Sequence, residues 1–400
     1  MKTICIISGG TFPVPAVRGG AVEELASLLY EQNKTNRKYQ ISVVTVFVPE
    51  LKPLIKKDAG IHAIRIPRIY TVLDTLSYFY WDKIKKDWRA MFYRKKFTHL
   101  YYRHALSKFL QKHTYDLVVV ENNMSLLSAV REGMGHEAYK KRCLYHAHSI
   151  LIDQPASIPY LKSCAGILTV SNYVTKALYT EPELREQKIL AVDNGIDVKQ
   201  FNPEYVRSHR KKYRKKYCLA ENTFVYLYSG RISVEKGLRE LVEAFENLHM
   251  KDAVLLIAGG SFSGDSGRSE YEKDIRKQCA DRKLRTVFLG YVPHEKMKEI
   301  YCAADCLVIP SLVEEAGPLT ALEGAVMGLP VVAPVKGAIR EYLGDYAVYF
   351  DREQSEDDLT KQMKHVYDHP ELRSGEGCRR EYFSIEAYNQ RFMDAIQDFL

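Results

Sequence analysis

The sequence predicts an α/β protein built from two doubly wound domains in tandem. Three observations lead to this prediction. Short runs rich in valine, isoleucine and leucine recur along the chain, amphipathic stretches of helical periodicity separate them, and the whole pattern occurs twice. Near-continuous apolar runs of this kind are typical of parallel strands that are buried on both faces. A chain of 400 residues is also longer than a single hydrophobic core usually accommodates, so two domains are expected.

The individual strands follow from the apolar runs in chain order. The first half contains TICIIS, ISVVTVF, IHAIRI, DLVVV, RCLYH and GILTV, and the second half contains TFVYLYS, VLLIAGG, TVFLG, DCLVIPS, PVVAP and YAVYF. Between the halves, turn formers and a lysine/arginine cluster replace the apolar alternation. We therefore predict a Rossmann-like first domain at 1–200, a basic linker at 201–222, a second domain at 223–380, and a C-terminal helix at 381–400 that packs back toward the first domain.

The distribution of apolar residues and cysteines argues against a membrane-spanning or secreted protein. No stretch approaches the roughly 18–20 apolar residues that a membrane span needs, and the eight cysteines form no C-x-x-C pair. The apolar run at the N-terminus is short and ends in glycines, so it predicts a strand rather than a signal peptide. We expect a cytoplasmic protein with reduced cysteines, in which any membrane contact is peripheral.

Glycine and basic residues suited to ligand binding follow several predicted strands. They stand at the edge where open α/β sheets bind ligands. Gly19 and Gly20 stand directly before a helix, where a ligand can approach the backbone amides closely. Arg231 ends a strand and Lys236 begins the next helix, so the two cations suit a pyrophosphate. The alternative is a flexible glycine loop and two solvated cations. The first loop lacks G-x-G-x-x-G, so a dinucleotide site is poorly supported.

The segment PSLVEEAGPLTALEGAVMGLPVVAP, residues 310–334, holds two glutamates eight residues apart. Pro318 suits the first position of a helix, which places Glu315 just ahead of that helix and Glu323 on its second turn. The unpaired amides and the positive end of the dipole make the helix start an anion site. Two flanking carboxylates could accept hydrogen bonds from hydroxyls. The alternative is a surface helix with two solvated glutamates.

Several of these stretches together carry a family resemblance. Taken together, VDNGIDVKQF, GRISVEKG, LLIAGG, VFLGYVPHEKMKEIYCAADCLVIPS and the E-x7-E segment, which follow one another in this order along the chain, resemble the retaining glycosyltransferases of family 4, which have the GT-B fold. The likeness covers almost all of the second half and is looser in the first. It implies two doubly wound Rossmann-like domains facing an interdomain cleft, with the acceptor on the side of the first domain and the nucleotide-sugar in the second.

The resemblance also implies roles for single residues. Arg231 and Lys236 match the pair that holds the donor diphosphate. Glu315 matches the catalytic-site glutamate that contacts the donor sugar, and Glu323 matches the one that binds the ribose hydroxyls. The implied donor-binding residues are Gly19, Gly20, Arg231, Lys236, Tyr291, Val292, Gly317, Pro318, Leu319, Thr320 and Glu323.

A histidine pair and a departure from the family pattern complete this comparison. The strand LYHAHS resembles the one in which the family keeps a catalytic histidine, and both His146 and His148 fit.

The family commonly has E-x-F-G-L at the first glutamate. Here Pro318, which has no N–H, leaves the amides of Leu319 and Thr320 to bind the phosphate. No D-x-D motif occurs, so we expect no metal and no cofactor.

These inferences predict a retaining, metal-independent glycosyltransferase that moves a sugar from a nucleotide-sugar donor to a hydroxyl acceptor. One alternative is another enzyme on this fold, a sugar-nucleotide epimerase or a disaccharide phosphorylase. A second is a non-catalytic sugar-nucleotide-binding or coat-type protein. The joint presence of Arg231, Lys236, Glu315 and Glu323 argues against the non-catalytic alternative.

Residues 76–109 suggest where the acceptor is found. They interleave lysine and arginine with the aromatic residues Trp81, Trp88, Phe92, Tyr93, Phe97 and Tyr101. A basic, aromatic-rich surface helix suits an anionic bilayer interface, so we predict peripheral contact with the inner leaflet, where a lipid-linked intermediate of an envelope polysaccharide would be the acceptor. The alternative is a helix with core aromatics and solvated lysines. No nucleic-acid-binding module is recognisable.

Overall fold

The chain forms two compact units, each built on one parallel β-sheet. A computed structural model describes residues 1–85, 94–150, 155–260, 269–355, 357–374 and 377–400. The first unit consists of Met1–Val170, Val174–Val192 and Asn389–Leu400, and the second of Ser171–Tyr173 and Asp193–Tyr388.

The elements of the first half of the chain are as follows. The strands are β1 (Thr3–Ile7), β2 (Gln40–Val46), β3 (Ile61–Ile64), β4 (Leu117–Glu121), β5 (Cys143–Ala147), β6 (Gly166–Thr169) and β7 (Ile189–Ala191). The helices are α1 (Ala21–Asn36), α2 (Lys52–Lys57), α3 (Arg68–Phe79), α4 (Lys96–Lys112), α5 (Leu127–Met134), α6 (His136–Arg142), α7 (Ile158–Ser163) and α8 (Asn172–Tyr179).

The elements of the second half follow the same alternation. The strands are β8 (Phe224–Ser229), β9 (Ala253–Ala258), β10 (Thr286–Gly290), β11 (Cys306–Val308), β12 (Val331–Pro334) and β13 (Val348–Phe350). The helices are α9 (Pro203–Lys216), α10 (Leu238–Asn247), α11 (Glu270–Asp281), α12 (His294–Ala303), α13 (Leu319–Val326), α14 (Ile339–Leu343), α15 (Asp358–Asp368) and α16 (Ile385–Gln397).

Both sheets are doubly wound. The first has the strand order β3-β2-β1-β4-β5-β6-β7 and the second β10-β9-β8-β11-β12-β13, and their paired strands run parallel. This confirms the predicted α/β class and the two doubly wound domains. Each order reverses once, between β1 and β4 and between β8 and β11, and such reversals open a ligand-binding crevice at the carboxyl edge of a sheet.

The central strands form where the sequence predicts them because most of their side chains are apolar. Ile4–Ile7 of β1 and Val118–Val120 of β4 are fully buried or nearly so, whichever face of the sheet they point to. Burial on both faces is what parallel sheets require. Strand β7 was not predicted, because its three residues give too short an apolar run to stand out from the surrounding loop.

The sequence predicts a basic linker at 201–222, whereas in the structure these residues are part of the second unit. Most of them form helix α9. The carboxylate of Asp305, just before β11, pairs with Arg210 Nη2 at 2.5 Å and with Arg214 Nη1 at 3.2 Å. Arg214 is buried, so part of the basic cluster holds α9 to the sheet instead of lying in solvent.

The C-terminal helix α16 ends in the first unit, to which residues 389–400 belong. Phe392 is buried there and its ring centroid lies 6.0 Å from that of His146. Lys188 Nζ pairs with Asp398 at 2.9 Å, close to the end of the chain. Among the helices that the structure describes, none has both the length and the apolar character to cross a bilayer.

Candidate active site

In the first unit, three ionisable side chains meet at the reversal point between β1 and β4. Glu121 is the last residue of β4 and pairs in register with His146 of β5, while His148 follows β5 by one residue. Glu121 Oε2 lies 3.0 Å from His146 Nδ1 and 2.7 Å from His148 Nε2. The two imidazole nitrogens are 3.2 Å apart. We call these three residues the histidine cluster.

Burial sets the charge of the histidine cluster. His146 is completely buried and Glu121 almost so, whereas the His148 side chain keeps 5% of its surface exposed. Burial acts to raise the pKa of Glu121, but the two adjacent imidazoles outweigh it and lower that pKa to about 2. Burial, and next the neighbouring His146, lower the pKa of His148 to about 4. At neutral pH, Glu121 is therefore ionised and His148 neutral.

The glycine loop before α1 carries an acid, and the Gly19 amide already donates a hydrogen bond to Ala16 O at 3.0 Å. Gly19 and Gly20 have φ angles of 73° and 109°, a region that favours glycine. A Cβ on Gly20 would collide with the carboxylate of Glu23, which folds over the start of α1. Burial, and to a lesser degree the charge of Glu121, raises the pKa of Glu23 to about 7. A hydroxyl is a better partner for such a carboxylate than a second anion.

In the second unit, Lys236 and Glu315 form an ion pair beyond the carboxyl ends of β8 and β11. Lys236 Nζ lies 2.6 Å from Glu315 Oε1, and Ser311 Oγ also donates a hydrogen bond to that oxygen. Gly237 has φ of 70°, and a Cβ there would collide with the carbonyl oxygen of Pro310. The glycine thus lets the Lys236 loop lie against the end of β11, which brings the cation to the carboxylate.

Arg231 stands close by on the same loop but is held loosely. Its side chain is 58% exposed, and Nη2 lies 3.7 Å from Glu235 Oε1. A guanidinium in this position can turn toward an anionic ligand and donate two parallel hydrogen bonds. The predicted pair of cations therefore lies at one edge of the second sheet, with one cation anchored and the other solvated.

The loop that follows Glu315 is tied to its surroundings through its carbonyl groups. Glu315 O accepts a hydrogen bond from Ala338 N at 2.7 Å, and Gly317 O accepts one from Asn194 Nδ2 at 3.0 Å. Pro318 precedes the first helical residue of α13 rather than occupying that position, with φ −75° and ψ 110°. The helix thus starts one residue later than predicted, and the amides of Leu319 and Thr320 lie in the first turn of α13.

Glu323 lies on the second turn of α13 and is buried between two side chains of α12. His294 Nε2 is 2.7 Å from Glu323 Oε1, and the Tyr301 hydroxyl donates to Oε2 at 2.7 Å. Because each carboxylate oxygen can accept two hydrogen bonds, both oxygens retain capacity for a ligand hydroxyl. At the end of β10, Tyr291 is exposed and Val292 half-buried.

Some residues of these two groups escaped the sequence prediction. Glu121 had a weak signal, since it ends an apolar run that is followed along the chain by a histidine-bearing strand. Ser311, His294 and Tyr301 had none, because their contacts depend on loops and on the packing of α12 against α13. Within the described part of the chain, the histidine cluster is also the one group of potential metal ligands with suitable spacing, its ligand atoms lying within 4.8 Å of one another.

Solved structures share this fold along the whole chain. The Anabaena Alr3699/HepE protein, crystallised with UDP and glucose, has a TM-score of 0.72 and 18% sequence identity, and the alignment covers 100% of both chains. Two doubly wound parallel units of this type define the GT-B class of glycosyltransferases, and this chain has that fold.

Sequence comparison adds similarity to known enzymes. Residues 209–376, within the second unit, match the model for glycosyl transferases group 1. The lipopolysaccharide 1,2-N-acetylglucosaminetransferase of Salmonella typhimurium is 28% identical over 232 residues, which span 57% of each protein. The spore coat protein SA of Bacillus subtilis is 24% identical over 354 residues, or 85% of this chain and 82% of that protein.

Proposed function

We propose that the protein is a retaining, metal-independent glycosyltransferase that moves a sugar from a nucleotide-sugar to a hydroxyl acceptor. The observation that carries the proposal is the Lys236–Glu315 pair at the carboxyl edge of the second sheet. It supplies a cation for an anionic leaving group and a carboxylate for a sugar hydroxyl at the same place. Both residues lie inside the segment that matches the glycosyltransferase family.

The donor diphosphate would be held without a metal. Lys236, Arg231 and the first amides of α13 offer two full positive charges and the positive end of a helix dipole. Lys236 has three N–H donors, so it can keep Glu315 as a partner while it binds a phosphate oxygen. This arrangement supports the metal-independent scheme on chemical grounds.

The sugar, ribose and base of the donor would be bound at the same edge of the second sheet. Glu315 would accept a hydroxyl of the transferred sugar, Glu323 would accept the ribose hydroxyls, and the backbone around Tyr291 and Val292 would meet the base. The similarity to a protein crystallised with UDP and glucose supports a nucleotide-sugar donor. Retention of configuration rests on the resemblance to family 4, and the histidine cluster would supply the imidazole that the resemblance implies.

A donor screen by thermal shift tests the proposal. A ligand that binds only the folded state raises the melting temperature, so one member of a UDP-, GDP-, ADP- and dTDP-sugar panel is expected to stabilise the protein, and Lys236→Ala is expected to lose that effect. Lys199→Ala, which removes an exposed lysine paired with Glu386 in the same unit, is the control. If no nucleotide-sugar stabilises the wild-type protein, the donor assignment is wrong.

Product analysis separates the alternatives. An epimerase would return an isomerised nucleotide-sugar, and a disaccharide phosphorylase would need inorganic phosphate. A non-catalytic coat protein, an alternative made specific by the similarity to spore coat protein SA, would bind donor without consuming it. Release of nucleoside diphosphate together with a new glycoside is expected only for a transferase.

The acceptor proposal rests on an exposed apolar row in the first unit. Helix α3 and the π-helical turn Tyr80–Ile84 that continues it expose Ile69, Val72, Leu76, Phe79 and Ile84 by 50% or more. Spacings of three and four residues put the first four side chains on one helical face. Contiguous apolar surface of this kind marks a place where a partner or a membrane binds.

Basic residues flank this apolar row. The exposed members are Lys83, Lys85, Arg94, Lys95 and Lys96. Trp81, Phe97 and Tyr101 are half-buried, and Tyr101 packs on Tyr70 with ring centroids 4.6 Å apart, so the described aromatics are partly internal. Trp88, Phe92 and Tyr93 lie outside the described residues. An apolar row beside cations is complementary to an anionic bilayer surface, where we propose that a lipid-linked acceptor is glycosylated.

Vesicle binding tests this surface. Because burying a leucine-sized side chain contributes about 1.5–3 kcal/mol, the double variant Ile69→Glu and Leu76→Glu is expected to bind anionic vesicles at least roughly tenfold more weakly than wild type. Each basic residue adds about 1 kcal/mol near such a surface, so binding should also weaken at high salt. Tyr179→Glu, at a partly exposed aromatic residue of α8, is the control. Negligible wild-type binding to anionic and neutral vesicles alike would favour a soluble acceptor.

A further inference from the structure

We propose that Glu121 is a positioning residue that fixes the protons of His146 and His148 and presents His148 as the imidazole that meets the ligand. The inference rests on the proposed sugar transfer and deepens it, since it separates two histidines that the sequence leaves equivalent. It is carried by the geometry of the histidine cluster, by the burial of its members and by the loop that braces it.

The position of Glu121 already points to a ligand. It ends β4 at the reversal point of the first sheet, where doubly wound folds open a crevice. Asn123 Nδ2 donates to Gly9 O at 2.7 Å, which holds the loop after β4 against the loop after β1. A buried carboxylate at such an edge costs free energy unless it is paired, and it is paired here with two imidazoles.

The hydrogen bonds of the histidine cluster determine where the protons lie. An ionised carboxylate only accepts, so the two nitrogens near Glu121 Oε2 must both donate. His146 therefore carries its proton on Nδ1, at 3.0 Å, and His148 carries its proton on Nε2, at 2.7 Å. The neutral ring of His148 is left with Nδ1 as its accepting nitrogen, and in His146 the nitrogen that faces away from Glu121 is Nε2.

Burial then distinguishes these two nitrogens. His146 Nε2 is buried and, within the described residues, has no hydrogen-bond partner. His146 as a whole is closed off, with Phe392 against its ring. His148 lies beyond the last residue of β5 and keeps a little exposed surface. By elimination, the imidazole acceptor that a ligand hydroxyl can reach belongs to His148.

The loop after β4 also holds the backbone of His148. Asn122 Oδ1 accepts a hydrogen bond from the backbone N–H of His148 at 3.0 Å, and Asn122 N donates to His146 O at 2.9 Å. Asn122 has φ of 46°, a left-handed conformation that asparagine adopts more readily than most residues. The backbone of this segment is therefore fixed, and Glu121 fixes the ring.

The same three residues could be read as a metal site, but the spacing favours hydrogen bonds. Ligand atoms about 2.0–2.1 Å from a tetrahedral zinc stand roughly 3.3 Å apart, whereas here Glu121 Oε2 lies only 3.0 and 2.7 Å from the two imidazole nitrogens. Metal-bound histidines also usually donate their second N–H to an acceptor. His146 Nε2 has no such acceptor among the described residues.

Nitrogen NMR of the wild-type protein tests the proton positions directly. With ¹⁵N-labelled histidine and assignment through His146→Asn and His148→Asn, we expect the Nδ1–H tautomer for His146 and the Nε2–H tautomer for His148. The measurement needs no donor or acceptor, so it stands apart from any failure of the proposed function. The opposite tautomer in either ring would overturn the inference, as would about one equivalent of tightly held metal whose removal changes both rings.

Kinetics test the positioning role. The carbonyl oxygen of Glu121→Gln can still accept from both imidazoles at the Oε2 position, but the variant has no negative charge and places a buried amide at the Oε1 position, which has no hydrogen-bond partner among the described residues. We therefore expect turnover to fall roughly tenfold to a hundredfold while the KM of the donor stays within about twofold. If Glu121 acts through His148, the double variant with His148→Asn should be no slower than His148→Asn alone. Independent, multiplicative losses would contradict the proposal.

The matched control stands directly before the same strand. Asp116 stands at the opposite end of β4, where its carboxylate accepts hydrogen bonds from Thr3 N at 2.8 Å and Thr3 Oγ1 at 3.0 Å. Asp116→Asn makes the same chemical change far from the carboxyl edge and should leave turnover and both histidine tautomers unchanged. If it slows turnover as much as Glu121→Gln does, a general loss of stability in β4 explains both variants and the inference fails.

Discussion

Replacing Lys236 with alanine is expected to lower sugar transfer by about two to three orders of magnitude, which corresponds to roughly 3–4 kcal/mol of lost transition-state stabilisation. Lys236 is the anchored cation of the second unit, with Nζ 2.6 Å from Glu315. Its loss removes a charge that stabilises the leaving diphosphate and also leaves the Glu315 carboxylate without its cation. The substitution therefore weakens both partners of the proposed reaction centre.

Steady-state kinetics on the donor identified by thermal shift measures this effect. Lys199→Ala should retain wild-type turnover, because Lys199 is exposed and paired with Glu386 at 2.8 Å. Arg231→Ala should also be impaired, since Arg231 is the second cation at this edge. Near-normal transfer in both the Lys236 and the Arg231 variants would show that these two residues do not bind the donor diphosphate.

Replacing Glu315 with glutamine is expected to reduce turnover by roughly two orders of magnitude, the scale for losing one directed electrostatic contact in a reaction centre. The carboxylate accepts hydrogen bonds from Lys236 and Ser311, so the amide keeps the size of the side chain and loses its charge. Removing an anion beside the diphosphate should leave donor affinity unchanged or raise it. A fall in turnover without weaker binding would place the Glu315 contact in the transition state.

The neighbouring glutamate provides the control for this substitution. Glu314 is exposed and stands one residue earlier in the same loop, so Glu314→Gln tests whether any charge change there slows the reaction. Separate measurement of donor binding and single-turnover rate distinguishes the two effects. If Glu315→Gln weakens donor binding and leaves the single-turnover rate intact, Glu315 is a binding residue only.

Much of the fold could be predicted because most of its strands correspond to continuous apolar runs in the sequence. The segment around β11, for example, could only be a buried strand, and the glycines and prolines around it fixed where loops begin. Arg231, Lys236 and Glu315 were placed at one sheet edge because parallel strands all present their carboxyl ends on the same side. The positions of these residues directly after predicted strands were therefore sufficient to bring them to one edge.

Other features depend on contacts that no local pattern reports. The basic segment 201–222 looked like a linker because its charges are dense, yet one carboxylate, Asp305, pairs with two of its arginines and holds α9 in the second unit. Likewise, the difference between His146 and His148 arises from strand register and from Glu121 on the neighbouring strand. Residues distant in sequence decide such features, so only the folded structure reports them.

The most direct test of the central claim is to follow a stabilising nucleotide-sugar by ¹H NMR in the presence of excess EDTA, with membranes that carry lipid-linked glycans as the acceptor source. The account predicts release of the nucleoside diphosphate and a new glycoside that keeps the anomeric configuration of the donor, both abolished by Lys236→Ala and unaffected by Lys199→Ala. Inversion of the anomeric centre, or turnover that stops in EDTA and returns with added divalent metal, would contradict it.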